Sequence, residues 1–152
     1  PKETRLINVI NTVEIAKKLG ERGSHIIYLS SNRVFDPDIK IINNKEELNP
    51  KTEYGKQKAD CELLLKTNKF PLTIVRLSEV INKKYRLFNY WVSELREGKY
   101  IYPFYDFNIS PISSDFAING FQKIICSGYL GTIHFSASYD VMMFPTLRQY
   151  YT

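Results

Sequence analysis

Tyr54-Gly55-Lys56-Gln57-Lys58 sets a phenol and an amine one helical turn apart, downstream of Ser31, which ends the run Ile26-Ile27-Tyr28-Leu29-Ser30-Ser31. An ammonium beside a phenol favours the phenolate, so such a pair supplies a proton donor or acceptor usable near neutral pH. A serine hydroxyl near both would hold a substrate oxygen. The three residue types together point to carbonyl/alcohol redox or epimerase chemistry. The spacing alone is weak. With 11 tyrosines and 14 lysines in the chain, Tyr-x-x-x-Lys is expected about once by chance. The plain alternative is a solvated helix face, so the flanking segments decide.

Those segments alternate helix and strand periodicities. Residues 8–19 read as an amphipathic helix with Val9, Val13 and Ala16 on one stripe and Ile10 near it, stopped by Gly20 and Gly23. Residues 25–29 form an unbroken apolar strand, which predicts burial on both faces of a parallel sheet. Ser30 and Ser31 fall where that strand runs out, the end at which open α/β sheets bind ligands. Residues 32–53 are a long polar loop. Thr52 and Glu53 then open a helix carrying Tyr54, Lys58, Cys61 and Leu65 along one side, and residues 71–77 make a second apolar strand. This rhythm predicts an α/β fold with parallel strands and a right-handed crossover.

At four places, in order, the chain resembles the extended short-chain dehydrogenase/reductases, in particular the dTDP-4-dehydrorhamnose reductases and NAD-dependent sugar-nucleotide epimerase/dehydratases. Tyr28 to Asp36 is similar to their strand ending in two small hydroxyl residues before a Val-Phe or Val-Tyr pair. Asn49-Pro50 followed by Tyr54-Gly55 and Lys58 resembles their Pro-x-x-x-Tyr-Gly-x-Ser-Lys segment. Ile74-Val75-Arg76 resembles the next strand, and residues 8–12 the start of the helix before the serine strand. The likeness continues through a helix at 85–97, an exposed strand and turn at 100–111, a helix at 113–125 and a late strand at 131–135. Ser113 or Ser114 suits the N-cap of that third segment, ahead of Phe116 and Ile118.

The resemblance implies a partial Rossmann-like sheet over residues 1–78, with a mainly substrate-binding part over 79–152 intertwined with it. By resemblance, Tyr54 is the general acid/base and also touches the cofactor, Lys58 lowers the tyrosine pKa and holds the nicotinamide ribose, and Ser31 holds the substrate oxygen, with Asn32 and Arg33 also on the substrate side. Asn8 corresponds to the family's helix asparagine at the cofactor. NAD or NADP and a nucleotide sugar are the implied cofactor and substrate. The helices near 5–19 and 53–67 would build a homodimer. Two departures bear on the substrate: Asn32-Arg33 stands where the reductases commonly have Asp-Tyr, and Gln57 where Ser is usual. Arg33 would recognise an anionic group or lie on the loop surface.

Family members open with a strand and a Gly-x-x-Gly-x-x-Gly turn for the cofactor pyrophosphate. Gly20 and Gly23 fall at a helix end before a strand, the reverse order, and read as a C-cap and turn. The expectation is therefore a piece of a longer enzyme, missing the amino-terminal half of the nucleotide-binding sheet and binding NAD(P) weakly by itself. The alternative is a non-catalytic sugar-nucleotide-binding or scaffold relative.

Composition narrows the rest. The net charge of +5 and 14% aromatics would permit a single-strand nucleic-acid binder, but the basic residues are dispersed and the aromatics fall at core spacings, so no nucleic-acid partner is expected. Lys83, Lys84 and Arg86 form the richest basic cluster and read as a solubilising turn. No apolar run is long enough to span a membrane. Cys61 and Cys126 show neither metal nor redox spacing and read as packed thiols in a cytoplasmic protein. His134, mid-strand, reads as structural, His25 as exposed, and Asp36 and Asp38 as solvated acids, with no metal expected. Trp91 with Phe88, Val92 and Leu95 makes a helical stripe that reads as core or subunit contact rather than a ligand platform.

Overall fold

A computed structural model describes residues 2–39, 46–101, 108–138 and 140–142. Contacts divide the chain into two units, residues 1–77 with 122–135, and residues 78–121 with 136–152. The first unit is built on a three-stranded parallel sheet in the order β1 (Ile26–Ser31), β2 (Leu72–Leu77), β6 (Gly131–Phe135). Ile26 pairs with Leu72 and Ser31 with Leu77, while Thr73 pairs with Gly131 and Leu77 with Phe135. The expected α/β architecture with parallel strands is therefore present.

One helical rod precedes the sheet: α1 (Lys2–Arg5), a π segment (Leu6–Asn11) and α2 (Thr12–Gly20). It begins earlier than the periodicity suggested, and the widened turn is not visible in the hydrophobic pattern. Thr12 Oγ1 donates to the Ile7 carbonyl oxygen at 3.1 Å, five residues back, which occupies a carbonyl inside the widened turn. Gly23, at φ 87°, turns the chain toward β1. Gly20 packs so closely on Phe70 that a Cβ there would overlap the ring.

Helix α3 (Glu53–Lys66) starts where Thr52 accepts the Gly55 amide at 3.1 Å, satisfying one of the orphan donors of the first turn. Cys61 and Leu65 of α3 join Val9, Ala16, Tyr28 and Ile74 in the main core. Ala59 packs with Val34 and Phe35 in a second cluster. So the start of the polar loop is not fully solvated: Asn32–Val34 is a short 3-10 turn whose end is buried. Residues 40–45 of that loop lie outside the described residues.

Burial on both faces holds for β2, whose central four residues are all buried. It fails for β1, where Tyr28 and Ser30 are buried under α3 but Leu29, pointing the other way, is 46% exposed. The alternation follows from successive side chains of β1 pointing to opposite faces, with α3 covering the face that carries Tyr28 and Ser30.

In the second unit, α4 (Arg86–Arg96) buries Trp91 against Ile109, with Phe88 packed beside it, but Leu95 stays exposed. Short pairs join β3 (Val80–Ile81) to β5 (Ile112–Ser113) in parallel, and β4 (Asn108–Ile109) to β7 (Val141–Met142) antiparallel. Of the expected strand and turn at 100–111, residues 102–107 lie outside the described residues, and Ile109 is buried. Ser113 caps α5 (Ser114–Ser127) by accepting the Phe116 amide at 3.0 Å. Phe116 and Ile118 are exposed, while Ala117 and Ile124 are buried.

Candidate active site

Serine 31 closes β1, and its hydroxyl accepts the Arg33 amide at 3.2 Å while lying 3.4 Å from Asn32 Oδ1. The 3-10 turn that follows presses on the first turn of α3. A Cβ on Gly55 would overlap the Arg33 carbonyl oxygen and lie 3.0 Å from Pro50 Cβ. Glycine beside Tyr54 therefore lets the Ser31–Arg33 turn reach the start of the helix that carries the tyrosine. Arg33 itself is exposed.

Tyr54 and Lys58 share a side of α3, as their i, i+4 spacing requires. Lys58 Nζ lies 5.8 Å from the Tyr54 ring centroid and 4.9 Å from that of Tyr28, a cation held between two aromatic rings. It donates to the Leu29 carbonyl oxygen at 2.8 Å. Burial pulls the Lys58 amine below the ordinary lysine range, while the neighbouring Cys61 and Glu62 act in the opposite direction. Tyr54 is 51% exposed and so open to a ligand.

Tyr28 was not singled out by its sequence position, yet it lines the lysine from below. Its phenol is pushed up by burial first and by Cys61 next. Among the described residues its hydroxyl is a buried oxygen without a conventional hydrogen-bond partner; the thiol of Cys61 beside it is a poor one. A neutral, buried Tyr28 is thus a platform for the ammonium, and Tyr54 is the exposed phenol of the two.

Asn8 sits in the π segment and donates to Gln57 Oε1 at 2.9 Å. Gln57 Nε2 in turn reaches Glu53 Oε1 at 3.1 Å and Thr4 Oγ1 at 3.4 Å. The buried amide that replaces the usual serine therefore ties the first helical rod to α3. Among the described residues Asn8 makes no hydrogen bond to Tyr54 or Lys58.

Beneath the site lies a charge network that the sequence reading missed. Glu62, 0% exposed, and Arg76, 3% exposed at its side chain, form an ion pair at 2.6 Å, with Arg76 Nε 3.0 Å from Glu62 Oε1. Ser30 Oγ donates to the same carboxylate oxygen at 2.5 Å. Arg76 also stacks over Phe35 and approaches His134 Nε2 at 3.4 Å. Burial and then the Arg76 charge hold His134 below its ordinary value, so a neutral imidazole accepts from the guanidinium. The signal was available: Glu62 stands between Cys61 and Leu65 on a buried stripe, and Arg76 inside an apolar strand.

His25 is partly buried, not exposed, with Nε2 2.8 Å from Thr73 Oγ1. Asp36 pairs with Lys51 at 2.8 Å, which holds its carboxyl below the usual range, and no cluster of three metal-ligating side chains occurs among the described residues. Cys61 is buried and Cys126 exposed, so only one of the two thiols is packed. Lys83, Lys84 and Arg86 are exposed. No helix among the described residues is long and apolar enough to cross a membrane.

Comparison with known proteins adds the family. A family model described as RmlD substrate binding domain matches residues 1–143. No curated protein matches the sequence. A dTDP-4-dehydrorhamnose reductase from Clostridium acetobutylicum superposes with a TM-score of 0.84 at 22% identity, covering 93% of this chain and 51% of that one. The corresponding reductase from Bacillus anthracis, solved with NADP, has the same TM-score, identity and coverage. A UDP-N-acetylglucosamine 4-epimerase from Methanobrevibacter ruminantium matches at 0.77 and 20% identity, covering 97% of this chain and 53% of that one. The chain thus spans about half the length of the structures it matches, and they share its fold.

Proposed function

The chain belongs to the RmlD substrate binding domain family, and from that premise we propose that it supplies the proton-transfer site of an NAD(P)-dependent nucleotide-sugar reductase or epimerase. The observation that carries this reading is Lys58 Nζ held at 2.8 Å by Leu29 O and 5.8 Å from the Tyr54 ring. One of the three ammonium donors is spent on the strand, which leaves two for the ribose hydroxyls of a bound nicotinamide cofactor. The residues present therefore fit the nicotinamide end of such a cofactor. When bound, the cofactor would supply or accept the hydride.

Tyr54 would pass its phenolic proton to the sugar carbonyl oxygen as the carbon gains hydride, and take it back in the reverse direction. The Ser31 hydroxyl would exchange its contact with Asn32 for one to the same oxygen, orienting it. Asn32 and Arg33, on the turn after Ser31, would contact the rest of the substrate. Asn8 would act at the cofactor side through the helix it shares a link with. Residues 1–78 would be the remainder of the nucleotide-binding part and residues 79–152 mainly the substrate-binding part. The half-length match to the reductases supports reading the chain as the later part of a longer enzyme.

Exposed Leu6, Ile7, Ile10, Leu63 and Leu64 on the two helical elements near residues 5–19 and 53–67 support a homodimer built there. Ile7→Asp should shift sedimentation from dimer to monomer; an unchanged dimer would remove this interface. The free cysteines suit a cytoplasmic protein.

The test is to incubate the intact protein from its source with NADPH or NADH and nucleoside-diphosphate 4-keto sugars, and separately with NAD and nucleoside-diphosphate hexoses. Reduction or 4-epimerisation supports the reading. Absence of both turnover and nucleotide binding would favour a non-catalytic relative.

A further inference from the structure

A buried ion pair roughly breaks even with, or loses to, well-packed apolar side chains of the same volume. Net stability therefore does not account for Glu62 and Arg76 at the centre of the first unit. Their placement does. Lys58 donates to Leu29 O on β1, and one turn further along α3 Glu62 accepts from Ser30 Oγ, the next residue of β1. Two consecutive strand residues are thus linked to two consecutive turns of the helix, a two-point attachment that fixes both the slide and the rotation of α3 on β1. Glu62 serves as the deeper point because Arg76 neutralises it at 2.6 Å, with the Lys66 ammonium farther off at 3.9 Å. Arg76 is itself held by the Phe35 face and by His134 on the next strand.

We propose that Glu62 and Arg76, acting through Ser30, are positioning residues that hold Lys58 and Tyr54 in register with the Ser31 turn. The inference rests on the reading of Tyr54 and Lys58 as the proton-transfer pair, but the attachment itself is testable without turnover. A variant lacking Arg76 would strand a buried carboxylate and put folding at risk, so the informative changes are smaller. Ser30→Ala removes the hydroxyl link and leaves every charge in place. Glu62→Gln keeps the volume. Ser30→Thr keeps the hydroxyl.

The experiment is a brief acetic anhydride pulse on the 152-residue chain, with mass spectrometry of the ratio of Lys58 to Lys17 acetylation; Lys17 is exposed on α2 and serves as the internal standard. Ser30→Ala and Glu62→Gln should each raise the ratio about fivefold, the size of one net hydrogen bond, and Ser30→Thr should restore it. Where the intact enzyme turns over, Ser30→Ala should lower kcat by about the same factor with KM within about twofold, since geometry and not binding is disturbed. Ratios unchanged in both variants, with their folds intact by circular dichroism, would overturn the proposal. A rise in Glu62→Gln alone would assign the effect to charge and overturn positioning through Ser30. Failure of the enzyme to turn over would remove only the functional reading, because the acetylation ratio does not depend on it.

Discussion

Lys58 Nζ donates to the carbonyl oxygen of Leu29 at 2.8 Å, so the strand that ends in Ser31 also anchors the ammonium next to Tyr54. One backbone carbonyl thereby couples the lysine to the residue type that would hold the substrate oxygen. Burial at this point draws the amine below the ordinary lysine value of 10.5.

That depressed value gives a pH prediction. Lys58 loses its proton as pH rises through its lowered folded value, so activity that needs the ammonium should fall on the basic side before an ordinary lysine titrates. The basic limb of kcat/KM should lie below pH 10.5. Lys58→Arg, which stays charged at all accessible pH, should remove that limb or move it upward. A limb that stays in place in Lys58→Arg would assign it to another group.

Gly55 predicts a steric effect. Gly55→Ala puts a methyl onto the Arg33 carbonyl oxygen, so either the turn or the helix must move. A loss of about 1–3 kcal/mol is expected, as for other overpacked sites. Urea unfolding measures it; an unchanged midpoint would mean that the turn moves freely from α3.

For the buried pair the direction depends on how many partners are removed. Arg76→Met alone leaves the buried Glu62 carboxylate with only the Ser30 hydroxyl and the half-exposed Lys66 ammonium at 3.9 Å and should cost about 3–5 kcal/mol, whereas Glu62→Met with Arg76→Met together should recover most of that loss. Denaturant melts of the two variants decide it. A double variant as unstable as the single one would show that the pair contributes strongly to stability.

Much of this arrangement was legible in the residues because it is local. Thr52 announces the start of α3, Tyr54 and Lys58 are neighbours by helical spacing, and the strands ending in Ser31 and Leu77 are apolar runs with clear stops. Contacts between distant segments were less so. Glu62 and Arg76 meet only after the crossover packs α3 on β2, and nothing in their separation announces it. The exposure of Leu29 depends on what covers the outer face of β1, which an apolar run cannot report. The π segment around Asn8 leaves the hydrophobic period nearly unchanged, so it reads as an ordinary helix.

The central claim is that Tyr54 exchanges the proton with the sugar oxygen, and the most direct measurement is turnover by Tyr54→Phe in the intact protein. Removing one hydroxyl should lower kcat by at least about a hundredfold, the usual contribution of a positioned acid/base, while the dissociation constant for the cofactor stays within about twofold. Tyr54→Phe turning over like the wild type would contradict the account.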